Sequence, residues 1–333
     1  MKHPARFLIL VALCGLLAFG VAACGGDDES SGGGGGGNAQ TSGDGQDLSK
    51  LQGQIRIDGS STVYPFAQAA AEQFQSQAPG VRVTVGQAGT GGGFEKFCAG
   101  ETDISDASRQ IEDDEVAACK KGGVDYGEVQ VANDGIAVTT NKALQIDCMT
   151  TKQLKELWAT SKVKNYKEID PKFPDQQVSL FGPGTDSGTF DFFTGEINGE
   201  EGKTRKDYQP SEDDNVLVQG VAGDKGGLGY FGFSYFEQNQ DKLNLVGVDA
   251  GSGCVKPSLE TIQSGEYKPL SRPLFMYPSA KAIAKPEVKA FMDFIGQNQK
   301  QIAEAAKIVP MTDEQASKAQ SDLSKIEQGG GTS

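Results

Sequence analysis

The chain has 333 residues, with 45 acidic and 31 lysine or arginine side chains, and a formal net charge of −14. A surplus of that sign excludes a phosphate-tracking groove for nucleic acid, while the length allows a sizeable core spread over about two domains. The one histidine, His3, falls in an N-terminal targeting segment, which excludes Ser-His-Asp and Cys-His nucleophiles and His-ligated metals from the rest of the chain. A small anion is not excluded. An acidic protein can hold one wherever oriented N–H groups and a buried arginine or two converge.

Lys2 and Arg6 form a positive start, Phe7–Gly20 an apolar stretch, and Val21-Ala22-Ala23-Cys24 a small-residue exit. Residues 1–23 are therefore expected to be a signal peptide, the run being short for an uncleaved membrane anchor. The exit resembles a bacterial lipobox, which would make Cys24 the lipidated first residue of an exported protein. That anchor would hold it on the outer face of the cytoplasmic membrane. Residues 24–47 carry the glycine run Gly32–Gly37 and are expected to be a disordered tether.

The globular part opens with Gln54–Asp58, which alternates like a strand, then the turn Gly59–Pro65 and a helix over Phe66–Gln77 with Phe66, Ala70 and Phe74 on one face. Val81–Val85 reads as a second strand, followed by Gly89-Thr90-Gly91-Gly92-Gly93 and a short helix over Phe94–Ala99. Asp103-Ile104-Ser105 is a third strand leading into Asp106-Ala107-Ser108-Arg109. This alternation implies α/β architecture with a mostly parallel sheet, whose loops gather at the carboxyl ends of the strands. Val129–Thr140, interrupted by Asn133-Asp134-Gly135, reads as a crossing into a second domain.

That second domain holds a helix over Thr151–Thr160 with Trp158 in its core. It also holds a strand over Val178–Phe181, a turn over Gly182–Asp186, a helix start over Ser187–Phe193, and Gly226–Gly232. Pro273–Pro278 is a proline-bracketed strand placed for the return crossing. Lys285–Ala306 is helical with Val288, Phe291, Phe294 and Ile295 inward, and the segment from Asp313 reads as a polar tail. The resulting division is 48–133 plus 273–333 for domain I and 134–272 for domain II.

Cys14 leaves with the signal and Cys24 is used for lipid, so Cys98, Cys119, Cys148 and Cys254 remain for two disulfides. Three connectivities are possible. Cys98–Cys119 with Cys148–Cys254 is preferred, because it keeps each bridge inside one domain. No metal site is expected, since no C-x-x-C pair or available histidine exists. Gly202-Lys203-Thr204 lacks the first glycine of a P-loop, because Ile197 stands there, and Thr185 replaces the first glycine of a nucleophile elbow around Ser187. The acidic runs at 112–115 and 212–214 lack the spacing of a calcium loop.

Three segments combine small hydroxyl residues with a helix start: Ser60-Ser61-Thr62, Thr90-Gly91-Gly92-Gly93 and Ser187-Gly188-Thr189. With Gly59–Pro65, Asp106–Arg109, Gly182–Phe190, Glu212–Gly223 and Leu228–Gly232, they resemble, in this order, the periplasmic phosphate-binding proteins of ABC importers. The resemblance runs from about Gly53 to the C-terminal helices. It implies a two-domain periplasmic-binding-protein clamp of the class II type with two hinge crossings, and a monomer without cofactor or enzymatic step. Such a protein binds inorganic phosphate and passes it to ABC permease subunits.

Residue by residue, it implies phosphate bonds from Thr62 and the backbone near Ser61 and Val63, from Thr90, and from Ser187, Gly188 and Thr189. Asp106 matches the carboxylate that accepts the proton of bound phosphate, a feature that sulfate cannot satisfy. Many such proteins carry an arginine just before the Ser-Gly-Thr turn. Positions 181–186 have none, so Arg109 is nominated to supply the cation, to phosphate or to Asp106. The alternatives are a receptor for sulfate or molybdate, and a secreted phosphatase using Ser187 or Thr189.

Overall fold

The structure, a computed structural model, describes residues 47–329 apart from Asp186 and Glu212. The expected signal peptide, Cys24 and nearly all of the tether lie outside the described residues.

The described strands are β1 (Gly53–Gly59), β2 (Val81–Val85), β3 (Ile104–Ala107), β4 (Val129–Asn141), β5 (Cys148–Thr150), β6 (Ser179–Pro183), β7 (Gln209–Ser211), β8 (Gly227–Gly232), β9 (Leu243–Asp249), β10 (Cys254–Val255) and β11 (Ser271–Pro278). They form a mixed sheet in the order β2-β1-β3-β11-β4-β8-β6-β7, with β9 also on β4, and with β5 and β10 on β9. β1 runs parallel to β2 and β3, and β6 parallel to β7 and β8. The long strand β4 is antiparallel to β8, β9 and β11. Parallel neighbours require crossover helices, so polar turns collect at one end of each half-sheet.

Two large cores flank β4 and β11. The first draws its buried residues from 48–132 and 274–326, the second from 136–270 with Val309. In the first, Ile55 and Ile57 of β1 face inward and pack under the helix Tyr64–Gln77. Phe74 of that helix meets Phe291 and Phe294 edge-on at 5.3 and 5.5 Å. In the second, Trp158 is fully buried against Phe193, Tyr208 and Tyr230, as its helical spacing requires. Cys98 is joined to Cys119 and Cys148 to Cys254, the preferred pairing.

The helix expected over Phe94–Ala99 already starts at Thr90, and three further elements differ from the sequence reading. The segment from Asp313 is a helix, Asp313–Glu327, opened by a Thr312–Gln315 capping box. Its Ala319, Leu323 and Ile326, spaced by four and three, lie on one face and fill the first core. β3 extends to Ala107, so Asp106 sits inside a strand rather than after it. β11 begins at Ser271, because Ser271 and Arg272 pair with Gly135 and Asp134 across the crossing. Proline bracketing had hidden those two residues.

Candidate functional site

β1 ends at Gly59, which touches β3 so closely that a Cβ there would stand 2.1 Å from the Asp106 carbonyl oxygen. The next N–H, of Ser60, donates to that same carbonyl at 2.9 Å. This contact turns Ser60–Thr62 out over the end of β3, before Val63 caps the helix Tyr64–Gln77. Thr62 N–H donates to Ser60 Oγ at 3.2 Å, while Val63 N–H closes the turn on the Ser60 carbonyl and its side chain enters the first core. Gly89, at φ +82°, starts the second loop, and Thr90 Oγ1 lies 3.2 Å from Ser108 Oγ. Ser108 N–H also donates to Thr90 Oγ1.

From the second core, β6 leads into Ser187, whose Oγ accepts from Thr189 N–H at 3.2 Å and opens the helix Gly188–Phe193. Gly188 faces the first loop closely. A Cβ on it would lie 2.3 Å from Thr62 Oγ1 and 2.6 Å from Ser61 Oγ. Ser61, Thr62, Thr90, Arg109 and Gly188 all border one polar cleft of about 970 Å³, shared with Asp191, Phe192 and Arg272. Val63, Asp106, Ser187 and Thr189 are not part of that lining.

Asp106 is fully buried, and neither carboxylate oxygen has a hydrogen-bond partner in the structure. Burial, with the Asp58 carboxylate nearby, pushes its pKa well above the ordinary carboxylate range. A buried, unpartnered carboxyl costs stability, which makes Asp106 a candidate site residue.

Arg109 does not meet Asp106. Its guanidinium forks onto Glu115 with two 2.8 Å bonds and approaches Glu112 at 3.2 Å, with 37% of the side chain exposed. The bond to Glu115 raises its pKa. The contact to Asp106 expected of Arg109 is not made: two carboxylates of its own loop and helix pair with it instead, while it still borders the cleft.

The sequence reading missed Arg272. It lies on β11 opposite Asp134 of β4, donates from Nε to that carboxylate at 3.4 Å, and donates from Nη2 to Thr62 Oγ1 at 2.8 Å and to the Gly188 carbonyl at 3.4 Å. Its guanidinium carbon sits 3.6 Å from the Phe192 ring centre. Burial opposes both charges, raising Asp134 and lowering Arg272, and the pair offsets part of that cost. No local sequence signal singles Arg272 out, because its role follows from the register that sets it opposite Asp134. Among the described residues, no cluster of three His, Cys, Asp or Glu side chains is placed to hold a metal ion.

Two cores joined by two crossing strands, with a polar cleft between them, define a ligand-binding clamp. A profile of the PBP superfamily domain matches residues 44–298. Protein SphX of Synechococcus elongatus is 43% identical over 270 residues, 80% of each chain. Phosphate-binding protein PstS of Staphylococcus saprophyticus is 38% identical over 287 residues, covering 85% of this chain and 88% of its own. The crystal structure of a possible phosphate binding protein from Planctomyces limnophilus superposes with a TM-score of 0.78 at 43% identity, covering 84% of this chain and all of its own. The chain belongs to the PBP superfamily and, within it, to the family of PstS-like phosphate-binding proteins.

Proposed function

We propose that this protein is an extracytoplasmic receptor that closes on inorganic phosphate and delivers it to an ABC permease. The observation that carries the reading is Asp106, a sealed carboxylate without a partner at the end of β3. At neutral pH phosphate has a hydroxyl to give this carboxylate, and sulfate has none. Binding an oxyanion without that proton would bring lone pairs against lone pairs in a dry site. Affinity then comes from several short hydrogen bonds: from Thr62 and the backbone near Ser61 and Val63, from Thr90, and from Ser187, Gly188 and Thr189. Arg272 supplies the cation in place of Arg109. No bond is made or broken in this role, in keeping with a family of binding proteins.

In this reading the two cores are two lobes, 48–133 with 273–333 and 134–272, which rotate about β4 and β11. The protein acts as a monomer, held at the membrane by lipid on Cys24. Among the described residues no helix is long and apolar enough to cross a membrane. Calorimetry on the mature protein tests the ligand: phosphate binds tightly and a large excess of sulfate does not displace it. Binding of sulfate or molybdate with no response to phosphate overturns the assignment.

A further inference from the structure

We propose that Arg272 and Asp134 couple anion binding to closure of the cleft, with Asp134 as the positioning residue that aims Arg272. The inference rests on the anion-binding reading above and adds how occupancy reaches the hinge. The two side chains stand opposite each other on β11 and β4, the strands that pass between the cores. Both are largely buried, with side-chain exposures of 16% and 11%.

From this central position the guanidinium engages both jaws at once. Nη2 reaches Thr62 Oγ1, on the first-core loop, and the Gly188 carbonyl, on the second-core helix. The flat face lies on Phe192, also of the second core. Rotation about β4 and β11 that separates Thr62 from Gly188 must break one of these sets. An anion lodged between those loops adds its charge to the same guanidinium only when both jaws are in reach, so it favours the closed arrangement over the open one. Asp134 matters because an arginine has many rotamers. Holding Nε fixes the fork so that Nη2 faces the cleft.

The test uses the mature protein with Asp134→Asn, Arg272→Lys and Phe192→Leu, the last preserving both charges should a charge-altering variant fail to fold. Stopped-flow rates for inorganic phosphate and small-angle scattering with and without saturating phosphate are measured together. All folded variants are expected to release phosphate about tenfold faster or more, with association within about twofold, because closure acts after encounter. Their contraction on saturation shrinks, most in Arg272→Lys. Variants that contract as fully as the unsubstituted protein, with dissociation within about twofold of it, overturn the coupling. A merely structural role would lower stability without changing contraction at saturation. Should the unsubstituted protein ignore phosphate but contract on sulfate, the phosphate reading fails by itself. The same variants then decide the coupling: lost sulfate-driven contraction supports it and retained contraction overturns it.

Discussion

Two aspartates are buried in the middle of this sheet, and they live in opposite circumstances. Asp134, on the crossing strand β4, faces an arginine directly across the ladder. Asp106, on β3, is more deeply buried still and has no hydrogen-bond partner at either oxygen. Burial raises the pKa of both, but only Asp134 has a cation to pull it back. The difference separates two uses of a buried charge. A paired carboxylate holds its partner in place, whereas an unpartnered one leaves its hydrogen-bonding capacity unused, the feature on which the proposed phosphate contact rests.

The sharpest way to break this contrast is to give Asp106 donors of its own. Asp106→Asn is expected to cut the phosphate-over-sulfate preference by about 10³-fold or more, since the amide can donate where the carboxylate can only accept. Competition calorimetry reads it, and an unchanged ratio would remove Asp106 from the site. On the other side, Arg272→Ala strands Asp134 as a lone buried charge. That should cost roughly 3–5 kcal/mol of stability in urea melts.

The pH dependence distinguishes the two carboxylates further. Because Asp106 has a raised pKa when folded, the native state holds its proton more tightly than the unfolded chain does. Its contribution therefore lowers stability as pH rises above the ordinary value of 3.8, until the folded-state pKa is passed. Ligand-free Asp106→Asn should lose that part of the slope, read in urea melts as a flatter stability profile between pH 4 and neutrality. By the same sign, sulfate should compete better at low pH, when a protonated Asp106 can donate to it.

Smaller effects sharpen the jaws. Gly188→Ala places a methyl 2.5 Å from the Thr62 nitrogen, so the loops must part. Phosphate affinity should fall about tenfold, chiefly through faster release. Arg109→Ala removes only a half-exposed ion pair. It should change stability by about 1 kcal/mol or less and affinity by no more than about threefold.

How much of the site could be read beforehand follows from the range of each signal. Ser60–Thr62, Thr90 and Ser187–Thr189 announce themselves locally, because a hydroxyl residue before a helix and a glycine at a tight turn are short-range demands. Asp106 could be placed near the site but not known to lack a partner, which depends on what β1 and β11 leave around it. Arg272 was invisible for a similar reason. Beside Pro273 it looks like the lead-in to a strand, and only its pairing with Asp134, 138 residues away, makes it central.

By itself the sequence determined the α/β alternation, the expectation of two crossings, the presence of two disulfides and the three hydroxyl loops, all products of periodicity, turn chemistry or an even cysteine count. It also ruled out histidine chemistry by composition. Tertiary structure decided which arginine bridges the two jaws and which carboxylate stays unsatisfied. Both are questions of desolvation and long-range pairing, and a residue's neighbours in the chain do not specify its neighbours across a sheet.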